Sequence, residues 1–168
     1  MVMKRTTVSI PVAFTGLRIA IGILFLIFAQ YKVFGTQFTQ GGGFQMWIGQ
    51  FLAQHAVYPF MVPILRNFVL PNATVIAYLA AYGELAIGLA LLSGLLVRVA
   101  SLCGAIYMLA LLFSSNYPGS QAPFWEYFGA SLNHLVLALC FAAFSVAESS
   151  PVLWGRAQRR RSRSSLNP

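Results

Sequence analysis

Four long apolar stretches constrain this chain more than any other feature of its sequence. They lie near residues 11–34, 73–96, 99–115 and 124–146. A helix needs about 20 apolar residues to cross the roughly 30 Å hydrocarbon layer of a bilayer. Of the 168 residues, 58% are hydrophobic and only 8% are charged, which is not typical of a soluble domain. Because lipid offers the backbone no hydrogen bonds, we predict an all-α membrane protein with a four-helix transmembrane bundle in residues 1–150.

The basic residues are unevenly distributed along the chain, and their positions predict its orientation. The formal net charge is +8, from 11 Lys and Arg against 3 acidic residues. Most of the cations fall on one side of a four-helix arrangement: Lys4, Arg5, Arg98, Arg156, Arg159, Arg160, Arg161 and Arg163. By the positive-inside rule, both termini are predicted to be cytoplasmic, in a bacterial or archaeal inner membrane. We interpret the tail 151–168 as a basic anchor on anionic lipid, not as a nucleic-acid-binding segment.

Residues 35–72 form the longest predicted loop and should lie on the outer face of the membrane. After a flexible joint of three glycines at 41–43, apolar side chains recur at helical spacing: Phe44, Trp47, Ile48, Phe51 and Leu52. This pattern is typical of a helix in the membrane interface, with Trp47 at the headgroups. Prolines at positions 59, 63 and 71 then predict irregular or re-entrant packing over 58–70 instead of a fifth span.

Glu84 lies inside the second apolar stretch, where a carboxylate is costly. An acidic residue at the centre of a transmembrane helix costs about 2.5–3.5 kcal/mol, so it normally faces the bundle interior, finds a partner or stays protonated. Two interpretations remain open from the sequence. Glu84 belongs to a ligand-binding or proton-handling site, or it is a neutral side chain that holds helices together through a hydrogen bond.

Other polar residues are expected near Glu84. Counted from the outer ends of their helices, Glu84 and His134 lie at a similar depth, about 15 Å from the boundary at ~1.5 Å per residue. Asn133 precedes His134, Tyr82 is close to Glu84 on its own helix, and Tyr107 comes from the third span. The sequence therefore predicts an interior cluster that can bind a polar headgroup or pass a proton.

Three cations near the helix ends have two possible roles each. Arg18 lies about two turns into the first span, ~9 Å deep, where it can snorkel to the headgroups or reach Glu84 and keep that carboxylate ionised. Lys32 and Arg98 are nearer to helix ends, and we favour snorkelling anchors for both. An inward-facing Lys32 would instead meet an anionic ligand.

The histidines and cysteines do not predict a haem, metal or redox site. His55 and His134 are the only imidazoles. His55 follows the interfacial helix and His134 is about three turns down the fourth span, so a shared haem would require His55 to dip into the bundle. Cys103 and Cys140 lack Cys-x-x-Cys spacing and are predicted to be small apolar packing residues. No metal-ligand set, phosphate loop or nucleophile triad is recognisable in the sequence.

Small residues at four-residue spacing predict close helix packing. They are Gly16 with Ala20, and Ala86 with Ala90 and Gly94. Such residues let helix backbones approach each other in a bilayer, so we expect a compact bundle instead of a wide pore.

Three segments of the chain resemble the DoxX-like membrane proteins. They are GLRIAIG at 16–22, AQYKVFG at 29–35 and GELAIGLALLSGLLVRVAS at 83–101. Arg18, Lys32, Glu84 and Arg98 match polar positions of that family, whereas the Gln-Tyr pair before the lysine replaces a more usual small or apolar pair. The resemblance covers most of the chain from about residue 16 to residue 146, and it implies a four-helix bundle.

The DoxX-like family includes membrane subunits of thiosulfate:quinone oxidoreductase. The resemblance therefore implies a quinone-facing or anchoring subunit of a redox complex, whose catalytic partner is another polypeptide. Quinone is then the expected ligand, held from the bundle interior by Glu84 and Arg18, and the expected partners are the bilayer and other protein subunits. Two other functions remain open: an accessory subunit that only stabilises a larger membrane complex, and a small transporter.

Overall fold

The computed structural model describes residues 10–129 and 132–146, and all secondary structure in these ranges is helical. In chain order the helices are α1 (Ile10–Phe34), α2 (Thr36–Thr39), α3 (Gly43–Ala53), α4 (Val62–Ile64), α5 (Ala73–Ser93), α6 (Val97–Ser115), α7 (Glu126–Gly129) and α8 (Leu132–Val146). A π-helical turn, Leu65–Val69, continues α4. The all-α prediction is confirmed for this part of the chain.

Three of the described helices, α1, α5 and α6, are long and apolar enough to cross a membrane. α5 ends at Ser93, before the predicted boundary of 96, because Gly94 (φ +77°) and Leu96 (φ +51°) turn the chain through left-handed conformations. α6 begins at Val97, ahead of the predicted 99, and has 19 residues. α8 is apolar but has 15 residues, which rise only about 22 Å.

α1 packs along α5, and two glycines mark the closest approach. A Cβ atom added at Gly22 would lie 3.2 Å from the carbonyl oxygen of Gly88, and one added at Gly88 would lie 2.8 Å from Leu26 Cδ2. A Cβ at Gly16 would meet no atom within 4 Å among the described residues. Gly16 is six residues from Gly22, about 240° around the helix, so it faces another direction. The close contact therefore lies at Gly22 and Gly88, and the predicted position Gly16 takes no part in it.

α6 packs along α8 through Phe141, which is completely buried. Its ring occupies the space beside Gly104, where an added Cβ would lie 2.7 Å from a ring atom. The same ring meets Phe25 of α1 edge-on, with the ring centroids 5.1 Å apart. This contact joins the α1 and α5 pair to the α6 and α8 pair in one core.

Residues 35–72 fold back over one end of the bundle, where α5 begins and α6 ends. This segment has a small core of its own around Ile48, and backbone hydrogen bonds tie it to the end of α6. The Tyr58 N–H donates to the Phe113 carbonyl at 3.0 Å, and the Tyr117 N–H donates to the Ala56 carbonyl at 2.7 Å. We call the end of the bundle where α5 begins and α6 ends the capped end.

Residues 62–69 are helical, which corrects the predicted irregular packing of 58–70. Pro63 is compatible with α4 because it lies in the first turn, where the missing N–H has no partner within the helix. α4 and the π-helical turn are together too short to cross a bilayer, so this stretch is not a fifth span.

Candidate functional site

Lys32 and Glu84 form the polar centre of the bundle. Lys32 Nζ donates a hydrogen bond to Glu84 Oε1, which makes an ion pair between α1 and α5. Glu84 is 5% exposed, whereas the Lys32 side chain is 20% exposed. Our preference for Lys32 as a snorkelling anchor is therefore wrong. Its ammonium faces the carboxylate because a buried anion is strongly stabilised by a paired cation.

Arg18 lies far from Glu84 and is not its partner. It precedes Lys32 by 14 positions in α1, or about 21 Å along the helix axis. Arg18 is nevertheless only 5% exposed, and its Nε and Nη2 atoms have no hydrogen-bond partner within the described part of the chain. The guanidinium thus does not hold the carboxylate, which differs from one of the two roles expected for it.

A tyrosine and a phenylalanine complete the surroundings of the ion pair. The Tyr107 hydroxyl on α6 donates to Glu84 Oε1 at 2.5 Å and lies 3.5 Å from Lys32 Nζ. Lys32 Nζ also lies 5.2 Å from the ring centroid of Phe38, within cation–π distance. We call Lys32, Glu84 and Tyr107 the polar cluster. It joins three long helices through one carboxylate oxygen.

Two cavities in the described part of the chain adjoin the polar cluster. The larger cavity, of about 580 Å³, lies between the polar cluster and the 35–72 segment. Its aromatic lining comes from Phe38, Phe44, Trp47, Phe51, Phe68 and Tyr107, with aliphatic side chains between them. Trp47 therefore lines a cavity, although half of its side chain remains exposed. The predicted position of α3 in the membrane interface, with Trp47 at the headgroups, stays a prediction. The sequence could not reveal the cavity because its wall is built from several separate segments.

A smaller cavity of about 300 Å³ lies on the other side of the polar cluster. Asn133 and His134 of α8 line it together with Glu84 and Lys32, and the remaining lining is apolar. His134 Nδ1 lies 3.0 Å from Asn116 Oδ1, at the C-terminal cap of α6. His134 is thus level with the capped end of the bundle, whereas Glu84 is eleven residues, about 16 Å, into α5.

The polar cluster separates the two cavities. Lys32 and Leu111 line both of them, Glu84 lines the smaller one and Tyr107 lines the larger one. Lys32 and Tyr107 therefore belong to the wall of the larger cavity, while Lys32 and Glu84 belong to the wall of the smaller one. Hydrogen bonds among Lys32, Glu84 and Tyr107 therefore link the wall of the larger cavity to the wall of the smaller one.

Several other predicted site residues lie away from the polar cluster. Tyr82 is 51% exposed and stacks on Tyr78, because two residues of helix separate its direction from that of Glu84 by about 200°. Arg98 is exposed in the first turn of α6, and His55 is exposed after α3. The predicted topology residues Arg159, Arg160 and Arg161 lie outside the described residues.

The sequence profile of the DoxX family matches residues 13–116, more than half of the chain. The chain belongs to the DoxX family. The DoxX match contains all three members of the polar cluster and ends at Asn116, before Asn133 and His134. No curated protein and no solved structure matches the chain.

Proposed function

We propose that this DoxX-family protein is a membrane subunit of a redox complex that binds a lipid-soluble quinone in the larger cavity. The supporting observation is the chemistry of that cavity: an apolar, aromatic wall that includes the Lys32 and Tyr107 side chains, whose polar ends are in contact. In this proposal the electrons come from a separate oxidoreductase polypeptide, and this chain supplies the binding site.

The dimensions and the lining suit a quinone. A cavity of about 580 Å³ falls in the usual range for small-molecule sites, about 300–1,000 Å³. Aromatic side chains such as Phe38 and Trp47 can pack against the flat ring. The ring carbonyls need hydrogen-bond donors. Lys32 has three N–H bonds and can donate while it remains paired with Glu84, and Tyr107 can donate when its single O–H turns from Glu84 to the ring oxygen. Reduction of the ring consumes two electrons and two protons, and the nearby Glu84 makes proton supply possible.

We also propose that α8 belongs to a fourth membrane crossing. Its packing against α6 through Phe141 supports a position inside the bundle. Because α8 alone rises about 22 Å, the crossing requires residues on either side of it. An even number of crossings puts both termini on the same face. The basic sequences at 4–5 and 156–163 favour the cytoplasm for that face, which leaves the capped end and α3 at the outer interface.

Quenching of Trp47 fluorescence tests the proposed quinone site. Replacing Trp125 and Trp154 by phenylalanine leaves Trp47 as the single tryptophan. Purified protein in lipid nanodiscs is then titrated with short-chain ubiquinone and menaquinone analogues. We expect saturable quenching with one of them. Lys32→Met and Tyr107→Phe should each raise the apparent Kd for the quinone about tenfold. This factor corresponds to about 1.4 kcal/mol, the contribution of one hydrogen bond from a charged or polar donor.

Tyr82→Phe is the matched control, because it removes a hydroxyl from an exposed tyrosine on α5 and should leave the Kd unchanged. Quenching that rises linearly with membrane quinone, and that Lys32→Met does not alter, would contradict the proposed site. In that case Lys32 and Glu84 are both replaced by neutral residues of matched size, and assembly of the complex is measured. Intact assembly of this double variant would favour an accessory structural role.

A further inference from the structure

The smaller cavity connects two levels of the bundle. Its one end is the pair of Asn133 and His134 at the capped end, and its other end is Glu84. Tyr107, which contacts Glu84, precedes Asn116 by nine residues of α6, or about 14 Å along the axis. The cavity wall therefore includes a histidine at the level of the capped end and a buried carboxylate deeper in the bundle.

One oxygen of the Glu84 carboxylate has no hydrogen-bond donor among the described residues. Glu84 Oε1 accepts from Lys32 and Tyr107, but Oε2 is buried and receives no hydrogen bond from any described residue. A buried carboxylate oxygen without a donor is costly. Water in a cavity with polar groups at both ends can supply that donor, and about 300 Å³ has room for several water molecules.

We propose that the smaller cavity is a hydrated proton entry, along which His134 passes protons from the capped end to Glu84. His134 lines this cavity together with Glu84, its Nδ1 lies 3.0 Å from Asn116 Oδ1, and an imidazole ring can take up and release protons. This proposal rests on the proposed quinone site, because the quinone is the final acceptor of the protons. The hydrated route itself can exist whether or not a quinone binds.

The proton balance runs through the polar cluster. When the partner oxidoreductase has delivered electrons to the quinone, a Lys32 Nζ–H bond breaks and an O–H bond forms on the ring oxygen in the larger cavity. Glu84, protonated from the smaller cavity, returns a proton to Nζ, and the ion pair is restored. Two such cycles supply the two protons that accompany two electrons. Lys32 can act in this way because it lines both cavities.

Cysteine reactivity tests whether the smaller cavity contains water. In a background with Cys103 and Cys140 replaced by alanine, Leu137→Cys introduces a thiol on the cavity wall. Val136→Cys is the matched control, since Val136 is the neighbouring α8 residue and is 47% exposed on the outside of the bundle. With a membrane-impermeant thiosulfonate on proteoliposomes, Leu137→Cys should react at least tenfold faster, because thiolates form in water and not in lipid. Equal rates would overturn the hydrated route.

Infrared spectroscopy tests whether protons reach Glu84 through His134. In a Lys32→Met background the buried Glu84 carboxyl loses its cation and becomes protonated. Its carbonyl band is identified by its loss in Lys32→Met/Glu84→Gln. After transfer into D₂O, we expect His134→Phe to slow hydrogen–deuterium exchange of this band at least tenfold, and Val136→Phe to leave it unchanged. An unchanged rate in His134→Phe would overturn the role of His134.

The two proposals fail in different measurements. In protein with an intact Lys32, His134→Phe should bind quinone with the same Kd by Trp47 quenching, because His134 does not line the larger cavity. Absence of saturable quenching would contradict the quinone site alone. Slow labelling of Leu137→Cys would contradict the proton entry alone.

Discussion

Lys32, three residues from the start of the 35–72 segment, donates a hydrogen bond to Glu84 in the middle of α5. This ion pair joins α1 to α5 inside an apolar bundle, where each charge depends on the other. Removing one partner of a buried pair is usually much more costly than removing both, because a single mutation leaves a buried group that must take up or lose a proton, or stay charged without a partner.

We therefore predict that Lys32→Met lowers the free energy of unfolding by about 3 kcal/mol, the lower part of the range for buried pairs. The lower value follows from the 20% exposure of the Lys32 side chain. The double variant Lys32→Met/Glu84→Met should recover most of that loss. Reversible unfolding by SDS in mixed micelles measures both changes. A double variant as unstable as the sum of its two single variants would show that the pair is not coupled.

Arg18→Met should have the opposite effect on stability. Arg18 is buried, and its Nε and Nη2 atoms have no hydrogen-bond partner among the described residues. Methionine keeps most of the side-chain volume and removes these polar atoms, so we expect stabilisation of about 1 kcal/mol. Lys32→Met is the matched comparison, since it makes the same kind of change on the same helix. Strong destabilisation by Arg18→Met would mean that the guanidinium has a partner in the membrane.

Gly22→Val should weaken the contact between α1 and α5, whereas Gly16→Val should not. The new side chain at Gly22 would collide with the Gly88 carbonyl and with Leu91, while the same change at Gly16 extends into open space. Overpacking typically costs about 1–3 kcal/mol. Both variants carry the same change in intrinsic helix propensity, so the difference between their unfolding free energies isolates the packing effect. Equal losses would contradict the close approach at Gly22.

Phe141→Ala should destabilise the bundle through the cavity that it leaves. Phe141 fills the space beside Gly104 and touches Phe25. In lipid the transfer part of the usual cost is small, because lipid chains are as apolar as the core. A void of about 100 Å³ at ~24 cal/mol per Å³ then costs about 2 kcal/mol. Leu139→Ala, at a 62% exposed position of the same helix, is the control and should unfold almost like the unchanged protein.

The sequence was sufficient for features that depend on local chemistry. Apolar length predicted α1, α5 and α6, because a helix is the only way to satisfy the backbone of a long apolar segment in lipid. The cost of burying a carboxylate in an apolar span predicts that Glu84 faces the bundle interior and has a partner. The glycines at 41–43 correctly indicated where α3 begins.

Only the tertiary structure decided which cation meets Glu84 and what surrounds the pair. Lys32, Arg18 and Arg98 are all cations near helix ends in the sequence, and their distances to the carboxylate depend on how far each helix slides along its neighbour. The contact of Gly22 with Gly88 sets that register between α1 and α5, and it brings Lys32 to Glu84, while Arg18 lies 14 residues of α1 away from Lys32. The cavities likewise depend on the 35–72 segment folding back over the bundle. Periodicity along one helix carries no information about such contacts between distant parts of the chain.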